Sequence, residues 1–231
     1  MTERENIQAS PEMVEGPYYS IGGEYRGNLR EGQSGQKLDL TITIVNTENG
    51  VPMAGVDIDL WHCNATGHYS GYDVDPDEIP TNISNGQKAT DDHTFLRGKL
   101  TTDAQGQVTF QTIYPGWYTL RTPHIHLKIF EGENCNTTTQ LYLPEDLTQE
   151  LYRTTDYARR TKQDTFNNTD LVIGNTGADI DSLWIEVQKG PDVFLGRATL
   201  AITPGNVNYL IIVPPGRIPP KGGRPHDKPV R

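Results

Sequence analysis

The sequence has few cysteines, no long apolar run and a shortage of basic side chains. Only two cysteines, Cys63 and Cys135, occur among 231 residues, so a disulfide framework is excluded and both thiols are expected to be reduced. No apolar stretch approaches the roughly 20 residues of a membrane-spanning helix, and the opening MTERENIQAS lacks the apolar segment of a signal peptide. The chain is therefore expected to be cytoplasmic, with no membrane partner.

The charge balance excludes another class of partner. The formal net charge is -10 and the isoelectric point is near 5.0, whereas nucleic-acid binding requires a concentrated positive surface. The composition is 34% hydrophobic, with 23 Gly and 16 Pro, which is typical of a turn-rich β protein. We therefore expect no nucleic-acid partner and an all-β chain.

Alternating apolar and polar residues predict strands buried on one face. The clearest case is 38–45, where Leu38, Leu40, Ile42 and Ile44 alternate with polar residues. One helix is predicted at 147–160, and strands are predicted at 38–45, 56–61, 96–101, 107–113, 124–130, 138–143, 182–187 and 193–203. The predicted fold class is all-β: a β-sandwich core with long functional loops and at most one or two short helices.

The length favours one domain with extensions at both ends. We assign residues 1–36 to an extended N-terminal arm, 37–213 to a catalytic β-sandwich domain and 214–231 to a Pro-rich C-terminal tail. The polar segment 71–94 is a long loop, which in a compact domain is a functional lid or a disordered excursion.

His124-Ile125-His126 is the sharpest local motif. Residues two apart on a strand project to the same face, so the two imidazoles would lie side by side, as a metal site requires. Two histidines that merely share a hydrogen-bonded face remain an alternative. Zinc is a further alternative, with a third ligand drawn from His62, Cys63, His68 and His93.

Tyrosines supply a second kind of ligand. Tyr69 and Tyr118 end two loops that also contain glycine and aromatic residues. Two phenolates, two neutral imidazoles and one hydroxide would balance the charge of Fe(III), which oxygen donors favour. Spacing alone does not select Tyr69 over Tyr72. Arg121, three residues before His124, would place a permanent cation near the pocket or form a structural ion pair.

Six sequence blocks resemble the intradiol ring-cleavage dioxygenases, a family that includes catechol, hydroxyquinol and protocatechuate dioxygenases. The resemblance covers about residues 12–143. The blocks occur in the family's order and lie at 15–19 (EGPYY), 59–70 (DLWHCNATGHYS), 95–98 (FLRG), 112–118 (TIYPGWY), 121–126 (RTPHIH) and 138–142 (TTQLY).

The resemblance implies an Fe(III) enzyme that cleaves a catecholic ring with O2 to a cis,cis-muconate-type diacid. By motif position it assigns the metal ligands to Tyr69, Tyr118, His124 and His126, with Tyr118 and His124 axial. It implies that Tyr118 takes up substrate protons and that Arg121 stabilises the carbanion-like ring. It further implies that Arg121, Gln140 and Tyr18 border the substrate.

Two departures from the best-studied bacterial members leave questions open. The interval between Tyr118 and His124 is shorter, so the preferred catechol is not determined. The first core strand begins near Leu38, which indicates the compact single-domain branch, whose members are often secreted. A secreted mature form is therefore the alternative to a cytoplasmic one, and a homo-oligomer stays open. Competing functions are a non-catalytic β-sandwich module for aromatic or glycan ligands and a zinc hydrolase.

Overall fold

Eight strands form two four-stranded sheets in the computed structural model, which describes residues 7–20, 23–78, 89–154, 156–157 and 163–208. The first sheet has the order β4-β1-β8-β7 and the second the order β3-β2-β5-β6. Adjacent strands are antiparallel except for β1 and β8, which are parallel. The elements are β1 Lys37–Asn46, β2 Asp57–Trp61, β3 Arg97–Thr101, β4 Gln107–Ile113, β5 His124–Glu131, β6 Asn134–Tyr142, α1 Glu145–Leu151, α2 Leu171–Thr176, β7 Glu186–Gln188 and β8 Val193–Ile202.

One apolar core lies between the sheets. Leu38, Leu40, Ile42 and Ile44 of β1 are fully buried, as the alternating pattern predicted. The second sheet contributes apolar side chains that are also fully buried and belong to the same cluster, namely Ile58, Leu60, Ile125, Leu127, Ile129 and Leu141. The all-β sandwich prediction is confirmed.

The other face of the second sheet is also buried. Its central strand β5 places His124, His126 and Lys128 on that face, and each is only 1% exposed. The N-terminal segment covers them, since the Met13 N–H donates to the Thr138 carbonyl at 2.8 Å. The segment predicted as an arm therefore packs on the sandwich along its described part.

Several element predictions were wrong in extent. The predicted strand 182–187 is replaced by a 3-10 turn at Asp181–Leu183 and the short strand β7. Strand β6 begins at Asn134, four residues before the predicted start, because residues 134–137 lack the alternation of apolar and polar residues that predicts a strand. The helix predicted for 147–160 is α1, which ends at Leu151.

Some predictions lie outside the described residues. These are the tail at 214–231, the middle of the polar loop at 79–88, and residues 155 and 158–162 beyond α1. Among the described residues, no helix is long and apolar enough to cross a membrane.

The core position of Ile42 gives a direct test of the sandwich. Ile42→Ala removes buried methylene and methyl groups, so the free energy of unfolding measured in urea titrations should fall by about 2 to 5 kcal/mol. Gln107→Ala, at an exposed side chain on neighbouring β4, is the control and should change stability by less than about 0.5 kcal/mol. Equal losses in the two variants would contradict the assignment of the core.

Candidate metal centre

The four side chains predicted as metal ligands meet at one buried point. The Nε2 atoms of His124 and His126 lie 3.0 Å apart. The hydroxyl oxygens of Tyr118 and Tyr69 lie 3.2 and 3.4 Å from His124 Nε2. No one of the four side chains is more than 6% exposed. The structure therefore brings together the residues that sequence spacing alone could not connect.

Local backbone geometry brings the two tyrosine loops together. Gly67 has φ +87°, and a Cβ added there would lie 2.6 Å from the Trp117 carbonyl oxygen. Only glycine allows this approach, because a side chain would collide with the loop before Tyr118. Tyr118 and Arg121 then exchange backbone hydrogen bonds across a tight turn, in which Leu120 has φ 70°.

Both imidazoles are prepared to bind a cation. The His124 Nδ1–H donates to the Thr122 carbonyl at 2.6 Å, which leaves the Nε2 lone pair directed into the site. Burial, followed by the charge of Arg121, lowers the pKa of His124 and of His126 well below the ordinary value. Both rings are therefore neutral at physiological pH.

The phenols require a cation to ionise. Burial raises the pKa of the Tyr118 phenol to about 12, against the opposing charge of Arg121. Burial, and then the neighbouring Tyr118, raises the pKa of Tyr69 well above its ordinary value. Without a bound cation both phenols stay protonated at neutral pH, whereas a metal ion of high charge would reverse this preference.

The arrangement fits a metal with mixed oxygen and nitrogen ligands. Two donors at right angles on a metal about 2.1 Å away lie about 3.0 Å apart, which matches the His124 to His126 separation. Hard phenol oxygens beside imidazoles suit Fe(III) better than soft-ligand metals. In the described ranges no group of three or more His, Cys, Asp or Glu side chains could hold a metal ion.

The other candidate histidines and cysteines have other contacts. His62 is buried and its ring nitrogens bond to the Cys63 carbonyl and to the Thr112 hydroxyl. His93 is exposed, and Cys63 and Cys135 are buried and not joined in a disulfide. The absence of a disulfide agrees with the expected reduced thiols, and the zinc alternative finds no third ligand of these types among the described residues.

The structure also separates the tyrosines. The Tyr72 hydroxyl donates to the Tyr19 carbonyl at 3.0 Å, and the Tyr114 hydroxyl lies 2.7 Å from the Thr148 hydroxyl. Both rings are buried, so burial alone does not distinguish them from Tyr69 and Tyr118. The direction of the hydroxyl distinguishes them. Among the described tyrosines, only Tyr69 and Tyr118 have a hydroxyl in hydrogen-bonding contact with His124 Nε2.

Arg121 lies in a buried polar network beside the site. Its Nε donates to Asp170 Oδ2 at 3.0 Å, and its Nη2 donates to Gln140 Oε1 at 2.5 Å. Burial acts to lower the pKa of Arg121, but Tyr118 and Asp170 outweigh it and the pKa rises. The cation is therefore permanent and held in one orientation.

Asp170 is the functional neighbour that the sequence analysis missed. One carboxylate oxygen accepts from Arg121 and from the Thr122 N–H, and the other caps α2 by accepting from the N–H groups of Val172 and Ile173. The only sequence signal is the helix boundary, an Asp at the N-cap and Gly177 at the end, which predicts the helix but not its contact with Arg121.

The two further residues predicted to border a substrate are both buried here. The Tyr18 ring stacks on Tyr69 at 4.5 Å between centroids. The Gln140 amide nitrogen donates to the Val14 carbonyl at 2.7 Å, while its oxygen accepts from Arg121. Gln140 therefore connects Arg121 to the N-terminal segment.

An open cavity elsewhere is separate from this site. It has a volume of about 550 Å³ and lies on the polar face of the first sheet, lined by residues that include Thr41, Trp184 and Arg197. None of the site residues lines it.

Fold and site together define a class of β-sandwich proteins with a buried cluster of two tyrosines and two histidines beside an arginine. Comparison with known proteins identifies the class. Residues 14–180 match a family model described as Dioxygenase, and the chain belongs to the intradiol ring-cleavage dioxygenase family.

Relatives of known sequence are ring-cleaving dioxygenases. The chain is 30% identical over 149 residues to the chlorocatechol 1,2-dioxygenase of Pseudomonas sp. strain P51, which covers 56% of this chain and 53% of the relative. It is 31% identical over 121 residues to the protocatechuate 3,4-dioxygenase beta chain of Burkholderia cepacia, covering 48% and 46%. The chain thus spans about half the length of these curated relatives.

Solved structures extend the likeness over most of the chain. An intradiol ring-cleavage dioxygenase from Tetranychus urticae superposes with a TM-score of 0.80 at 28% identity, covering 89% of this chain and 100% of that one. The 3-chlorocatechol 1,2-dioxygenase of Rhodococcus opacus 1CP superposes with a TM-score of 0.57 at 22% identity. That superposition covers 87% of this chain and 75% of the other. This second likeness concerns the fold alone.

The pairing of Asp170 with Arg121 can be tested by measuring the free energy of unfolding of Asp170 variants. Asp170→Ala leaves the buried Arg121 without its carboxylate, so we expect a loss of about 3 to 5 kcal/mol in denaturant unfolding. Asp170→Asn removes the charge but keeps a good helix cap, so its loss should be smaller by roughly 1 kcal/mol. Asp181→Ala, at an exposed position, is the control. Stability of Asp170→Ala equal to that of the control would contradict this role.

Proposed function

We propose that the chain is a non-haem Fe(III) intradiol dioxygenase. It cleaves a catechol-type ring between the two hydroxyl-bearing carbons with O2 and yields a cis,cis-muconate-type diacid. One observation carries the proposal. The hydroxyl oxygens of Tyr69 and Tyr118 and the Nε2 atom of His126 all lie within 3.4 Å of His124 Nε2, in a chain of this family.

Tyr69, Tyr118, His124 and His126 would hold the iron. When bound, the ion supplies the positive charge that keeps phenols and a catechol substrate deprotonated and allows the substrate to react with O2. Two phenolates, two neutral rings and one hydroxide compensate the charge of Fe(III), so the buried site carries no net charge.

Tyr118 is proposed as the base that accepts a substrate proton. Burial raises the pKa of its phenol to about 12, whereas an ordinary phenol has a pKa of about 10. The raised value applies to the metal-free site. With iron bound, the Tyr118 oxygen would be a phenolate, and this phenolate would accept a proton from a catechol hydroxyl. Once protonated, Tyr118 would be neutral, and the negative charge that it gives up would be carried by the catechol oxygen instead.

Arg121 is proposed to stabilise negative charge on the ring during attack by O2. A fixed cation in a site without water acts strongly and needs no reorientation as the charge develops. Asp170 and Gln140 hold the guanidinium in place. Because both polar ends of Gln140 are engaged, its contribution to substrate binding is proposed to act through Arg121, while the Tyr18 ring borders the aromatic substrate beside Tyr69.

The proposed metal ligands predict that the iron-loaded protein is coloured and that the colour depends on the Tyr69 hydroxyl. Protein loaded with Fe(III) should be red-brown through charge transfer from tyrosinate to iron. Tyr69→Phe should weaken that absorption and reduce iron affinity by at least about tenfold, because it deletes one anionic donor. Tyr72→Phe is the matched control, since Tyr72 is equally buried but its hydroxyl bonds to Tyr19. Colourless wild-type protein that retains no iron would reject the metal centre.

Oxygen uptake tests the reaction and the role of Tyr118. Iron-loaded wild type should consume O2 with at least one of catechol, hydroxyquinol and protocatechuate and release a muconate-type diacid. Tyr118→Phe should keep part of its iron but lose about 100-fold or more in kcat, the usual contribution of a general base. Wild-type turnover in this variant would refute the proposed base.

Product spectra exclude the competing chemistries. A yellow semialdehyde would indicate cleavage outside the hydroxyl-bearing carbons and would contradict the proposal. Ligand binding without O2 uptake, unchanged in Tyr69→Phe, would instead support a non-catalytic aromatic or glycan module. Zinc in the protein as purified, together with a hydrolytic activity lost on its removal, would support the hydrolase alternative.

A further inference from the structure

A buried ion pair joins the N-terminal segment to the strand that carries both histidines. Lys128 Nζ lies 2.8 Å from Glu15 Oε2, and the side chains are 1% and 0% exposed. Lys128 also donates to the Thr138 hydroxyl at 2.8 Å. It follows His126 by two residues on β5, so both side chains project to the same covered face.

Such a pair contributes little net stability, because removing two charges from water costs about as much as their attraction returns. The best-attested use of buried charges is to fix a unique register between packed elements. The segment before β1 needs such a device. The backbone of the segment bonds to β6 at Pro11, Met13 and Val14, and Glu15 adds a side-chain contact with β5 through its ion pair.

The register decides what lies against His126. Gly16, next to Glu15, has φ +76°, and a Cβ added there would lie 3.0 Å from His126 Cε1. The backbone of the segment thus rests on the imidazole itself. Trp61 of β2 stacks on the same ring, with 4.9 Å between centroids and 8° between planes. The segment and β2 together set the orientation of His126.

The same register places two aromatic rings. Tyr18 stacks on Tyr69 at 4.5 Å, and Tyr19 donates its hydroxyl to Asp59 at 3.0 Å. Lys128 Nζ lies 5.1 Å from the centroid of the Tyr19 ring, so one ammonium group contacts the segment at two points. Pro17 fixes φ between these points, which limits how far one can move without the other.

We propose that Glu15 and Lys128 are positioning residues for the metal centre. Their ion pair holds the segment 13–19 in the one register that puts Gly16 against His126 and Tyr18 against Tyr69. A shift of one residue would put a residue with a side chain in the place of Gly16, where an added Cβ would already lie 3.0 Å from His126 Cε1. This inference rests on the proposed function, since it assigns the purpose of the register to the iron site.

Three variants separate positioning from simple stabilisation: Glu15→Met, Lys128→Met and the double variant. Met approximates the length of both side chains and adapts to its surroundings. Each single variant removes the opposite charge from a buried ion pair and should lower the melting temperature. The double variant should recover the melting temperature, because an apolar pair of similar volume replaces the ion pair.

The site should not recover with the stability. In the metal-free double variant, amide hydrogen exchange at 13–19 should be at least about tenfold faster than in wild type, measured by mass spectrometry or NMR. In the iron-loaded form, affinity for Fe(III) in competition with a chelator should fall about tenfold, and the tyrosinate absorption band should shift. Glu150→Met is the matched control, because Glu150 pairs with Lys189 on the surface, and it should match wild type in all three readouts.

The two levels of inference fail in different ways. If wild type binds iron with a tyrosinate band and the double variant matches its affinity, band and exchange, the pair is structural only and the positioning role is overturned. If wild type shows no iron band, the proposed function fails, and the positioning role at the iron site fails with it. Faster exchange with unchanged iron affinity and band would also overturn the positioning role, since the register would not reach the metal ligands.

Discussion

The structure depends on one strand that is buried on both faces. On β5 the odd-numbered Ile125, Leu127 and Ile129 enter the core, so the alternating His124, His126 and Lys128 must project to the other side. Polar groups on that side are neutral or paired because water is excluded from them. The N-terminal segment that excludes the water thereby becomes part of the site. If this outer face were solvated, the two histidines would be exposed and would lose the burial that lowers their pKa values.

Burial also determines the electrostatics of the pocket. Two of the buried cations near the site are paired with a buried carboxylate, Arg121 with Asp170 and Lys128 with Glu15, and a third, Arg97, bonds to Ser70. The histidines are neutral and, before a metal binds, so are the phenols. A pocket balanced in this way accepts a highly charged ion only if the ion brings or generates its own counter-charge. Loss of the two phenol protons provides most of it, which links metal binding to proton release.

The sequence predicted the features that depend on residues close together in the chain, such as strand positions and the spacing of the two histidines. Alternation located β1 and β4 almost to the residue, and the two-residue spacing paired His124 with His126. It did not choose between Tyr69 and Tyr72, because that choice depends on where a hydroxyl points after folding. It missed Asp170, which is 49 residues from Arg121, and the strand start at Asn134, where apolar and polar residues do not alternate. Family resemblance supplied the tyrosines, and the contacts in the fold give the physical reason.

The two tyrosines at the site are held differently, and this bears on which one can move. The Tyr69 ring is stacked by Tyr18, and the Arg97 guanidinium lies 6.0 Å from its centroid while also bonding to Ser70.

Tyr118 has only edge contacts with those rings, at 6.4 and 5.8 Å, and lies on the tight turn that Leu120 forms with φ 70°. Arg121 acts more strongly on Tyr118, where its charge is the leading influence that opposes burial. Under the proposed function, these differences favour Tyr118 as the tyrosine that accepts a substrate proton, because its ring is not stacked as the Tyr69 ring is and the charge of Arg121 acts on it more strongly.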